Sequence, residues 1–118
     1  MGVDLRLLPF DADNGSDFAY SHTILEVGRD YDLHDKIKKL PSLPVPSGFT
    51  SFSGKQEGFD DTCYGLTIKT PYGEELKYVV ARDLCAIELR KDAHNKLRGV
   101  WAYLSHLPPL TKVALYWH

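Results

Sequence analysis

Residues 4–27, DLRLLPFDADNGSDFAYSHTILEV, decide how the chain begins to fold. Val3, Leu5 and Leu7 alternate with Asp4 and Arg6, the period-two pattern of a half-buried strand, and Pro9 is expected to end the run. Beyond DADNGSD, Thr23, Leu25 and Val27 share one face while Tyr20, His22, Ile24 and Glu26 share the other, which predicts a second strand over residues 19–27. Asn14-Gly15 supplies the positive φ angles that a type I′ turn requires. Two antiparallel strands joined by a tight acidic turn are therefore expected.

The turn is also the first candidate site, because Asp11, Asp13, Asp17 and His22 carry oxygen and imidazole groups that bind cations. A calcium loop of the EF-hand type needs Gly at its sixth position and Glu at its twelfth; counted from Asp11, those places hold Ser16 and His22. That pattern fails. Asp and Asn are favoured in turns by local hydrogen bonding to the backbone, so turn formation accounts for these residues, with an irregular metal or ligand site as the alternative. No cofactor is expected.

Further along, the hydrophobic period changes. Leu33, Ile37 and Leu40 fall at i, i+4 and i+7, one stripe of a short helix. Asp30 caps its start and Asp32 complements its dipole, while Lys36, Lys38 and Lys39 favour its other end before Pro41 stops it. YGLTIKTPYGEELKYVV, residues 64–80, reads as a second hairpin, with Tyr64, Leu66 and Ile68 on one strand, Leu76, Tyr78 and Val80 on the other, and Thr70-Pro71-Tyr72-Gly73 between them. Residues 81–107 read as one long helix whose Ala86, Leu89, Ala93, Leu97, Val100 and Leu104 gather on one side. Pro108 and Pro109 end it. KVALYW, residues 112–117, alternates once more as a closing strand, either central in the sheet or an edge able to form a homodimer.

The resulting order, ββαββαβ, gives an α+β fold: a mixed or antiparallel sheet carrying one short and one long helix. At 118 residues the chain is the size of one domain, taken as 1–118, with 43% hydrophobic and 25% charged residues, close to globular averages. Its net charge of −2 provides no global attraction for phosphate backbones, so nucleic acid is a disfavoured partner. Lys36, Lys38, Lys39 and Lys55 are the residues such binding would use. No run approaches the roughly 20 apolar residues needed to span a bilayer, and no secretory leader pattern opens the chain, so a cytoplasmic location is expected. Cys63 and Cys85 form no CxxC or zinc spacing and read as reduced thiols.

The long segment PSLPVPSGFTSFSGKQEGFDD, residues 41–61, is the least structural in appearance. It holds three prolines and three glycines, yet also Phe49, Phe52 and Phe59. A loop of this length is uncommon in a compact domain, and its rings either fold back, through a short strand at about 49–53, or wait for a partner. With Tyr72 at the tip of the second hairpin, these three rings are the candidate partner-binding residues, since aromatic side chains bury large area at low entropic cost. No GxSxG elbow, phosphate loop, HExxH or deaminase pattern occurs, so no catalytic residues are assigned and an enzyme is not expected.

Three stretches, DLRLLPFDAD with SHTILE, YGLTIKTPYGEELKYVVARDL, and VWAYLSHLPPLTKVALYWH, resemble small uncharacterised proteins encoded by bacteriophages and prophages, over most of the chain. The resemblance carries no active site to transfer. It implies an accessory protein acting by protein–protein binding, with a host protein as partner, including components of host defence. A ligand-sequestering or metal-dependent protein with a pocket near the first hairpin is the alternative reading.

Overall fold

In the computed structural model the chain is described over residues 4–12, 18–21, 23–46, 48–52, 64–66 and 75–117. Among these residues eight strands and three helices follow one another as β1 (Leu5–Ala12), β2 (Phe18–Ser21), β3 (Leu25–Gly28), α1 (Tyr31–Lys38), β4 (Leu43–Pro44), β5 (Gly48–Phe52), β6 (Tyr64–Leu66), β7 (Lys77–Val80), α2 (Ala81–Cys85), α3 (Asn95–Ser105) and β8 (Lys112–Trp117). The fold is α+β, with a mixed sheet.

β1 organises it. One edge pairs with β8 from Leu5↔Trp117 to Phe10↔Lys112, and the other edge is shared by β3, at Leu5–Leu7, and β2, at Asp11–Ala12. One half of the sheet is thus β4-β7-β8-β1-β3, antiparallel throughout. The other continues from β1 through β2 to β5 and β6, with β2 and β5 forming the parallel pair.

The antiparallel pairing of the first two strands matches the reading of residues 4–27, while the details differ. The expected strand over 19–27 is divided into β2 and β3, and the register slips beside Leu5 and Arg6. Nor does Pro9 end β1. It is buried and lies in register with Val113, where the second edge of β1 changes from β3 to β2; a residue without an N–H disrupts a ladder least at such a change. β1 is also buried on both faces rather than one. Leu7 and Leu8 are consecutive, so they point to opposite sides of the pleat, and each finds an apolar layer.

Those two layers form the core. On the helical face, Leu5 and Leu7 join Val79, Val113 and Leu115 beneath Leu33 and Ile37 of α1, Leu84 of α2, and Leu97, Val100, Trp101 and Leu104 of α3. On the opposite face, Leu8, Phe10, Leu76 and Ala114 pack with Phe49 of β5. Phe49 is 0% exposed, and its ring meets Phe10 edge-on at 5.0 Å between centroids. Of the two outcomes weighed for residues 41–61, folding back holds at Phe49: β5 occupies residues 48–52, and β4 with the Val45 N–H bond to the Leu76 carbonyl ties the segment to the sheet.

Two expectations about pairing and length are corrected. β6 and β7 are not partners: β6 pairs with β5, while Lys77 and Tyr78 of β7 have β8 on one edge and β4 on the other. Alternation marks a strand but leaves its neighbour undetermined. The helix expected over 81–107 is two helices. α2 stops after Cys85, and α3 begins at Asn95 behind His94, whose Nδ1 accepts the Lys96 N–H at 3.1 Å. Arg98 reaches back from α3 to donate to the carbonyls of Arg90, Lys91 and Ala93, and the Trp101 indole N–H donates to the Ile87 carbonyl, satisfying groups that a continuous helix would have paired internally. The closing strand, β8, is central between β1 and β7 rather than an edge.

Candidate functional site

Of the ligand-binding candidates, Asp13, Asp17 and His22 lie outside the described residues, and Asp11 is placed by its backbone, in β1 opposite Tyr20. Of the aromatic candidates, Phe59 and Tyr72 also lie outside, and Phe52 is placed by its backbone in β5. Phe49 is a core residue, and in this fold its ring is spent on Phe10 rather than offered to a partner. Among the described residues no three His, Cys, Asp or Glu side chains gather as a metal site, and no helix is long and apolar enough to cross a membrane.

The structure instead brings together residues from three separate segments along the flank of α1. That helix forms where the sequence predicts it: the Asp30 carboxylate accepts the Leu33 N–H at 3.2 Å, Asp32 sits in the first turn, and Leu33 and Ile37 point inward. Tyr31, His34 and Lys38 fall at i, i+3 and i+7, so they share one stripe, and that stripe lies along Trp117 at the end of β8. The His34 ring meets Trp117 edge-on at 5.0 Å and Tyr31 at 5.9 Å, and the Lys38 ammonium stands 5.1 Å from the centroid of a Trp117 ring. Tyr31 is 59% exposed, whereas His34 is buried.

His34 is the hinge of this arrangement. Its Nε2–H donates to the Gly28 carbonyl at 2.9 Å, so a buried polar ring is paired and its plane is fixed against Trp117. Gly28 has φ +77°, the left-handed conformation open to glycine, and there it ends β3 and turns the chain toward α1. The His34 backbone N–H donates to the Asp30 carbonyl at 2.8 Å, which ties the residue to the first turn of α1.

Beside the Trp117 ring the helical cover of the sheet stops, leaving a trough of about 630 Å³ lined by Ile37, Lys38, Ser42, Glu75, Lys77, Leu115 and Trp117. The strand pairing explains its floor. Lys77 lies opposite Leu115, and both point to the helical face, as do Glu75 and Trp117 one pleat further on. Upstream on the same face Val79 and Val113 are sealed into the core. The trough is open to solvent rather than enclosed, and among the described residues neither Lys38 nor Lys77 forms an ion pair with a carboxylate.

A second hollow, of about 400 Å³, lies between the end of β3 and the start of α3 and contains Arg29, Asp30, Arg90, Asp92, His94 and Lys96. Its charges are largely committed to one another or to near neighbours: Arg90 to Asp30 at 3.6 Å and to Asp92 at 3.5 Å, and Arg29 to Asp4 at 3.0 Å. Cys85 is a free thiol, and burial pushes its pKa above the ordinary 9.0, which keeps it protonated and weakly nucleophilic near neutral pH. Among the described residues the two lysines of the trough, unlike the arginines of this hollow, form no ion pair.

Sequence reasoning assigned Lys38 to the helix dipole and Trp117 to strand alternation, which explains each residue alone and misses their meeting. The 31/34/38 spacing was the available signal. What it faces depends on tertiary packing. Comparison of the chain with protein-family models, with curated proteins and with solved structures finds no match.

Proposed function

We infer that this domain is a small non-catalytic binding protein of the cytoplasm that works by occupying a surface on another protein. One observation carries the reading: an open trough that combines the Trp117 ring with two lysines, Lys38 and Lys77, that form no ion pair with a described carboxylate. Tryptophan is among the residues that dominate binding energy at protein interfaces, and a ring already held by His34 and Lys38 loses little further freedom when a partner covers it. Tyr31 extends the same stripe with exposed aromatic surface. The resemblance to small phage and prophage proteins makes a host protein the partner class, with a host complex such as a defence system as its setting. The free thiol of Cys85 accords with a reducing compartment.

The test is quantitative capture from a bacterial lysate with the intact tagged chain, comparing wild type with Trp117→Ala. A partner retained at constant stoichiometry by the wild type and lost by the variant supports the reading. Recovery of no stoichiometric protein, or equal recovery by a correctly folded variant, overturns it.

A further inference from the structure

We propose that the trough beside Trp117 receives an extended, acidic segment of the partner chain, with an apolar side chain on the Trp117 ring and carboxylates on Lys38 and Lys77. The inference rests on the protein-binding reading and specifies the chemistry of the partner.

Charge complementarity selects the acid. Lys38 reaches the trough from α1 and Lys77 from β7, so cationic groups from two elements border one ring. Neither forms an ion pair with a described carboxylate, in contrast to Lys36 on the outer side of the same helix, which pairs with Asp32 at 3.3 Å. Glu75 marks one place along the trough where a partner carboxylate is disfavoured, and so gives the segment a direction.

Geometry selects an extended chain. In a strand, residues i and i+2 point to the same side about 6–7 Å apart. The Lys38 ammonium stands over the Trp117 ring, 5.1 Å from its centroid, so an acidic residue brings its carboxylate to Lys38 while an apolar one two positions away meets the part of the indole that the ammonium leaves open. Ile37 and Leu115 line the same trough with apolar surface, and Ser42 adds a hydroxyl. A small molecule fits less well, because sites for small ligands bury most of the ligand surface and this trough is open. A nucleic-acid backbone, charged at every nucleotide, would set a phosphate against Glu75, whereas a peptide can leave that position neutral.

The experiment is a titration of the full chain, followed by ¹H–¹⁵N correlation spectra, with the blocked peptide acetyl-Glu-Ser-Leu-Ser-Glu-amide as probe and its Lys-for-Glu counterpart as control. Each tryptophan reports separately. The Trp117 indole lies in the trough, whereas the Trp101 indole donates to Ile87 within the core at 3.2 Å and serves as the internal reference. The acidic peptide is expected to shift Trp117 and leave Trp101 in place, with affinity reduced at least about tenfold by the double variant K38E/K77E. Both lysines are exposed, so the variant keeps its fold, which the unmoved Trp101 signal verifies. The proposal is overturned if the lysine peptide shifts Trp117 equally, if K38E/K77E binds the acidic peptide as well as wild type, or if N-acetyl-leucine alone or a short oligothymidylate gives the stronger response. Lysate capture of a partner that K38E/K77E leaves unchanged would defeat this inference while preserving the binding function; absence of any partner would defeat the function itself.

Discussion

The two ends of the β7–β8 pair share strands, register and face, yet one end is sealed and the other borders solvent. Val79 and Val113 lie opposite each other beneath α2 and α3 and are sealed; Lys77 and Leu115, one pleat away on the same side, border an open trough. The difference comes from the cover, not from the sheet. α2 and α3 close the upper end with Leu84, Val100 and Leu104, whereas the C-terminal turn of α1 reaches the lower end with Ile37 and Lys38 only. An open trough thus arises where a helical layer falls short of the sheet it covers.

The contrast can be broken most severely at the sealed end. Leu84→Ala, at a site with no exposure, is expected to cost about 2–5 kcal/mol in urea unfolding, while Lys77→Ala should stay within about 0.5 kcal/mol. Equal losses would remove the distinction between the two ends. Next in size is His34→Phe, which keeps a ring beside Trp117 but leaves the half-buried Gly28 carbonyl without its donor; a loss of about 1–3 kcal/mol is expected, and an unchanged midpoint would show that this hydrogen bond does not hold the stripe in place. Asp30→Ala removes the cap of α1, the helix that forms the trough wall, and should cost about 1 kcal/mol by the same measurement. Lys38→Ala sharpens the comparison at its open end: loss of the ammonium above the indole is expected to cost about 0.5–1 kcal/mol and to alter Trp117 fluorescence, read in a Trp101→Phe background.

The smallest effect concerns pH. Because the folded-state pKa of Cys85 is raised, its contribution to stability is fully present below the unfolded thiol value of 9.0 and is lost as pH rises through the folded value. Alkylation by iodoacetamide under alkaline conditions should accordingly be slower in the folded chain than in urea, and equal rates would place the thiol in solvent.

Legibility in the sequence followed the range of each interaction. The cap and apolar stripe of α1, the antiparallel opening and the alternation of β8 depend on neighbours a few residues apart, and those features stand in the structure. Trp101 is absent from the face expected of one helix over 81–107, yet it is buried beside Leu97, Val100 and Leu104, because α3 starts afresh at Asn95 and sets its own apolar stripe. The division before α3 had a local signal in Asp92, His94 and Asn95, polar residues that favour helix starts, but Leu89 and Ala93 continued the apolar spacing and masked it.

What the sequence determined by itself was therefore periodicity: that β1, β7 and β8 are strands, where α1 starts and stops, and the α+β class, because side-chain alternation and capping are local properties of the chain. Tertiary structure alone decided that β6 joins β5 instead of β7, that β1 is buried on both faces, that Phe49 enters the core, and that Trp117 meets His34 and Lys38. The physical reason is that a period of two or 3.6 fixes which face of an element is apolar but not what lies against it. Neighbours distant in sequence are chosen by competition among all the apolar faces for burial, and the trough is what that competition left uncovered.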